Sequence, residues 1–177
     1  MSIKVTAIAL IILSLNLGTN TVQADSTATV AVSQVSTDFK TKALDLTKEL
    51  KAKQKRVKLK KIVKYLTTRV HKTGYVFSGS SISGWDCSGM VRFAYKGLGI
   101  TLEHSANKQA HVGTRVSHPK IGDIVVFAYK GSTNFYHSAL YIGNGLIINA
   151  NAMYKTTVIQ PLTDFKQSQI RFVRVIK

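Results

Sequence analysis

The chemistry open to this chain starts from one thiol. Cys87 is the only cysteine and lies in Trp85-Asp86-Cys87-Ser88-Gly89. A Gly/Ser-rich stretch (78–84) precedes it, and Met90, Val91, Ala94 and Tyr95 follow as one helical face before Gly97 and Gly99 end the pattern. The spacing predicts a helix that begins at Cys87 with Asp86 as N-cap. Free N–H groups of a first helical turn stabilise an anion and lower a thiol pKa from roughly 8.5 towards neutrality. The competing reading is a buried, inert thiol, the commoner fate of an unpaired cysteine. A thiol nucleophile needs an imidazole within reach, and that imidazole needs a third polar group to hold it.

Five histidines are available. His71 lies in a basic run, His104 and His111 flank a short helical segment, and His118 precedes Pro119; each reads as a surface histidine. His137 differs, because it opens the strand pattern Tyr136-His137-Ser138-Ala139-Leu140-Tyr141-Ile142, which a Gly143-Asn144-Gly145 connection joins to Leu146-Ile147-Ile148-Asn149-Ala150-Asn151. A three-residue loop pairs odd-numbered positions with odd-numbered ones, so His137 and Asn149 would share a face, opposite or diagonal. A two-residue Asn-Gly loop would flip the parity and turn Asn149 away. Asn151 shares the face of Asn149 and is the alternative orienter.

Helical patterns come first and strand patterns follow. Asp25 to Thr37 is rich in Ser, Thr, Ala and Val and reads as a flexible lead-in. A basic helical extension is expected over 38–55, with a thin apolar stripe of Phe39, Ala43, Leu46 and Leu50. The first domain helix is expected over 57–71, facing the core through Val57, Leu59, Ile62, Val63, Leu66 and Val70. After the Cys87 helix come short β-rich runs at 123–129, 136–142, 146–152, 156–159 and 170–176. The order predicts an α+β domain over 56–177, with helices packed on an antiparallel sheet of about five strands. No histidine or cysteine spacing fits a zinc site, and the chemistry calls for no metal or cofactor.

Residues 5–17 form an apolar run too short to span a bilayer, and Val22-Gln23-Ala24 offers small residues for a signal peptidase; residues 1–24 are therefore expected to be a cleaved signal peptide. A lone cysteine in an exported chain is a partner for another chain or a reactive thiol. The full chain carries 25 Lys+Arg against 8 Asp+Glu. Thirteen of the cations fall between Lys40 and Lys72, with only Asp45 and Glu49 among them. Such a balance implies a polyanionic partner; for an exported protein this means anionic cell-wall polymers or a lipid surface rather than nucleic acid.

The ordered set of motifs resembles the NlpC family of cell-wall cysteine endopeptidases. The resemblance rests on Gly74-Tyr75 with Gly79, Asp86-Cys87-Ser88-Gly89, Ser105 and Gln109, Ile121-Gly122-Asp123-Ile124-Val125, and His137 with Tyr141-Ile142-Gly143-Asn144-Gly145. It implies a papain-like α+β fold, Cys87 as nucleophile with its backbone N–H as an oxyanion donor, His137 as base and Asn149 as orienter. Histidine is usual in the family at the position of Asn149. The resemblance further implies substrate contacts from Tyr75, Asp86, Ser88 and Ser105, and peptidoglycan stem peptides as substrate. The bond implied joins D-γ-glutamate to a diamino acid, diaminopimelate or lysine. Ala139 stands where the family usually has glycine, and His104 where it usually has arginine. The expected location is secreted and wall-associated, or periplasmic in a diderm. Two other functions fit the same residues: a CHAP-like muramoyl-L-alanine amidase, and a non-catalytic cationic wall-binding protein.

Overall fold

Residues 26–67 contain neither glycine nor proline, so nothing in the local chemistry interrupts a helix once it starts. They form one helix, α1 (Ser26–Thr67), in the computed structural model, which describes residues 26–176. The expected signal peptide lies outside the described residues. The flexible lead-in gives way to helix from Ser26, and no break separates the expected basic extension from the expected domain helix. Propagation from an existing turn adds one hydrogen bond per residue fixed, which outweighs the modest propensities of Ser, Thr and Val. The change of apolar face read as a boundary falls within this one helix.

Contacts divide the chain between Ala43 and Leu44. In the first unit the described residues are helical, and those whose side chains are described are exposed. In the second unit α1 turns Leu59, Val63 and Leu66 into the core, with Ile62 partly covered; the helix expected to reach 71 ends at Thr67, and Val70 packs on the core from the turn that follows. Val57, expected among them, is exposed.

Helix α2 (Cys87–Lys96) and the four-residue α3 (Ala106–Gln109) precede most of the sheet. A two-residue ladder, β1 (Ser80–Ser81) with β2 (Gly84–Trp85), folds the loop before Cys87. The main sheet comprises β3 (Thr114–Val116), β4 (Ile124–Tyr129), β5 (Phe135–Gly143), β6 (Leu146–Asn151), β7 (Thr156–Pro161) and β8 (Ser168–Arg174), in the order β3-β8-β4-β5-β6-β7, all antiparallel. The α+β expectation holds. The sixth strand is β3, too short and polar to show a period, and it pairs only along β8.

Strand alternation gives the sheet two apolar faces. Ile124, Val126, Leu140, Ile148 and Val173 join the α1 and α2 side chains in the larger core. Val125, Phe127, Ala139 and Ile147 form a second cluster, roofed by Leu162 and Phe165 of the 3₁₀ turn (Leu162–Phe165) after β7. Burial on both faces explains why β4 reads as a continuous apolar run rather than an alternating one.

Candidate active site

The loop before Cys87 is pinned from several sides. Trp85 is fully buried, and its indole N–H donates to Thr157 Oγ1 at 2.8 Å. Asp86 has extended backbone angles and accepts the Gly89 N–H at 2.7 Å, so it is the N-cap expected from the sequence. Gly89 must be glycine: an added Cβ would fall on the Gly79 carbonyl oxygen and press against His104. Cys87 thereby stands in the first turn of α2, half-buried and unpaired.

Three backbone N–H groups face its sulfur, those of Cys87, Ser88 and Ser138. The Ser138 donor is free for a structural reason. The β5–β6 ladder runs from its turn only to Leu140↔Ile148, and no backbone pair follows it. The donors favour thiolate, but burial and the nearby Asp86 carboxylate disfavour it, and burial is the largest influence. The thiol is pushed up from its ordinary value, opposite to the direction expected from a helix N-terminus alone.

His137 Nε2 lies 3.1 Å from Asn149 Oδ1. Gln160 Oε1 accepts the Asn149 Nδ2 hydrogen bond at 3.1 Å and that of Asn151 at 3.0 Å, which turns the Asn149 carbonyl towards the imidazole. Nε2 is then the protonated nitrogen and Nδ1 keeps the lone pair. The ring packs beside Phe127 (centroids 5.6 Å apart) and stacks with Phe165 (6.1 Å). Burial among these rings disfavours imidazolium and brings the His137 pKa down to about 4, while Asn149 and Asp86 oppose the shift.

The parity that joins His137 to Asn149 arises by a route other than a three-residue loop. Gly143 pairs with Leu146, leaving Asn144-Gly145 as a two-residue turn with positive φ at both positions, as type I′ geometry requires. A bulge between Tyr141 and Gly143 then shifts the register by one. In that register Ala139 falls opposite Asn149, and His137 is its diagonal neighbour. The bulge cancels the flip that the two-residue turn introduces.

Asp86 gathers four donors: Ser78 N–H (3.0 Å), Ser88 Oγ (3.0 Å), Gly89 N–H (2.7 Å) and His104 Nε2 (2.8 Å). His104 is therefore not the surface histidine expected; it closes on the site from the segment before α3. Its partner is 18 residues away, and no local period reveals such a contact. Tyr75 faces the same group, since burial and the Cys87 and Asp86 charges all push its phenol upward. Ser105 is the N-cap of α3, accepting from the Lys108 N–H. Asn151 bonds Gln160 and backbone N–H groups of the following turn rather than His137. Gln109 is buried and bridges the site: Nε2 donates to Ser88 and Glu103 carbonyls, and Oε1 accepts from Ser138 Oγ, each at 2.9 Å. His71, His111 and His118 are exposed, as expected.

A thiol at a helix N-terminus, an imidazole with a free Nδ1 and an amide orienter constitute the machinery of a cysteine peptidase. The model of the NlpC/P60 family matches residues 72–175, more than half of the chain. The chain belongs to the NlpC/P60 family. Within this NlpC/P60 chain, 91 residues are 35% identical to the gamma-D-glutamyl-L-lysine dipeptidyl-peptidase of Bacillus cereus, covering 50% of the chain and 27% of that enzyme. The NlpC/P60 fold matches the peptidoglycan hydrolase RipB of Mycobacterium tuberculosis with a TM-score of 0.60 at 23% identity, over 70% of this chain and 67% of that one. It also matches RipD of the same organism, described as a non-catalytic NlpC/p60 domain protein adapted to peptidoglycan binding, with a TM-score of 0.55 at 21% identity over 66% and 97% of the two chains.

Proposed function

We propose that the chain is an exported peptidoglycan hydrolase, a cysteine endopeptidase that cleaves the bond between D-γ-glutamate and the diamino acid of stem peptides. The observation that carries this reading is the His137 Nε2–Asn149 Oδ1 contact beside a free thiol. It readies Nδ1 as a base, an arrangement that a purely wall-binding domain does not require. The Bacillus cereus relative supports the choice of bond by its activity.

In the resting site both shifts favour the neutral thiol and neutral imidazole. His137 Nδ1 takes the Cys87 proton as the sulfur attacks the amide carbon, and the imidazolium returns it to the leaving amine. Water then enters with His137 as base, releasing the γ-glutamyl carboxylate and restoring the thiol. The N–H groups around the sulfur, including that of Cys87, are the candidate stabilisers of the tetrahedral oxyanion; one such donor is worth about 3–4 kcal/mol in other enzymes. Tyr75, Asp86 and Ser88 border the reacting atoms and are assigned to stem-peptide contact; the Ser105 hydroxyl, engaged as a cap, contributes by position. The basic segment over 38–55 would hold the enzyme on anionic wall polymers.

Mass spectrometry of digested walls of known chemistry tests the reading. The expected new amine lies on the diamino acid, and Cys87→Ala should abolish it with thermal stability unchanged. A new amine on L-alanine, or equal hydrolysis by the variant, overturns the assignment.

A further inference from the structure

Leu50, Val57, Lys61 and Tyr65 follow one another at intervals of seven, four and four residues, which sets them on one face of α1. The core takes α1 from another side, through Leu59, Val63 and Leu66. The outer face consequently stays in water: Leu50 is 60% exposed, Val57 51% and Tyr65 43%. Beside Tyr65 a hollow of about 860 Å³ opens between α1, the β1–β2 hairpin and α2, lined by Ile62, Phe93 and Ile82, the last 49% exposed. Lys58, Lys61 and Lys96 line it as well. Lys58 and Lys61 also line a second hollow along α1, which holds Leu50, Lys53 and Val57. The two hollows thus form one continuous surface with no acidic residue in its lining.

We infer that this face of α1, with the adjoining hollow, docks the protein on an anionic phospholipid membrane. The surface offers two chemistries together. Aliphatic and aromatic side chains suit the boundary between headgroups and acyl chains, and long lysines beside them reach lipid phosphates while their stems cover apolar surface. Other occupants satisfy only one of the two. A second copy of this face would bring the same lysines against these. Residues 1–24 are apolar but hold no acidic side chain to meet them. A hydrophilic wall polyanion would engage the lysines and leave Leu50, Val57, Tyr65 and Ile82 in water. Each lysine near an anionic surface strengthens binding about fivefold, and the apolar contacts add a part that salt does not screen. None of these residues belongs to the catalytic site, so the inference does not depend on the peptidase reading.

Co-sedimentation of the full chain with vesicles of equal parts phosphatidylglycerol and phosphatidylcholine, at low and high salt, tests it. Parent and variants carry the same first residues, so any difference in binding between them arises at the substituted positions. Lys58→Glu/Lys61→Glu should bind at least about tenfold more weakly than the parent. Leu50→Ser/Val57→Ser/Ile82→Ser should keep salt-sensitive binding and lose the part that survives high salt. Circular dichroism and hydrolysis of soluble muropeptides, both unchanged, show that the variants remain folded. If either variant binds the vesicles as the parent does, the inference fails. It fails equally if parent and serine variant are captured alike by soluble poly(glycerol phosphate) while neither binds vesicles.

Discussion

Asp86 and Asp123 are both carboxylates enclosed by donors, but the donors differ in kind. Asp123 is buried and receives Arg56 at 3.0 Å, Arg174 at 2.7 Å and the Lys120 N–H at 2.8 Å. Two guanidiniums cancel its charge and tie α1, β8 and the start of β4 together. Asp86 receives backbone N–H groups, a hydroxyl and an imidazole nitrogen. No guanidinium meets it among the described residues, and its charge acts on Tyr75, Cys87 and His137. A carboxylate paired with full charges is a fastener, whereas one held by dipoles still projects a field. The first tolerates no loss of partners, and the second tunes neighbouring chemistry.

The sharpest break of this contrast is Asp123→Asn. It strands two part-buried guanidiniums and should cost about 3–5 kcal/mol of unfolding free energy in urea, with activity per folded molecule retained. A loss of under about 1 kcal/mol would remove Asp123 from the role of fastener. Next in size, Asn149→Ala should lower kcat about 10- to 100-fold, with KM little changed and Asn149→His recovering most of it, because the orienter acts on the base. Equal kcat in the alanine variant would show that Phe127 and Phe165 alone hold the ring. The smallest effect is electrostatic. Neutral His137 is the base, so kcat/KM should rise with pH through about 4 rather than through the ordinary histidine value near 6.5. The Asp86 carboxylate favours imidazolium, hence Asp86→Asn should move that limb to lower pH, and Asp123→Asn should leave it in place. Stability should follow the same sign. The unfolded chain takes up the His137 proton first, so folding weakens as pH falls from about 6.5 to about 4.

Much of the site was legible because its signals are local or periodic. Asp86 and Cys87 announce a helix start within five residues, whereas the His137/Asn149 parity, expected from a three-residue loop, is reached through a two-residue turn and a bulge. The buried stripe of α2 has a clear period, and the runs that become β4 to β8 are short and β-rich, with Gly, Asn, Pro or Asp between them. What escaped depends on distance or on balance. His104 reaches Asp86, and Gln109 reaches Ser138, only after the chain has folded. The thiol pKa is a contest between helix dipoles and burial, and only the folded structure reveals which prevails. Along α1, a shift of apolar face looks like an interruption, although no residue there can break a helix.

The bulge beside Asn144-Gly145 carries a consequence for judging relatives of this chain. It works as a phase corrector, restoring the beat between two strands that the tight turn displaces. A homologue that dropped this one residue would keep its cysteine, histidine and asparagine in order and still turn the amide to the wrong side. An inventory of triad letters would count such a protein as competent, while its hairpin arithmetic would mark it as silent.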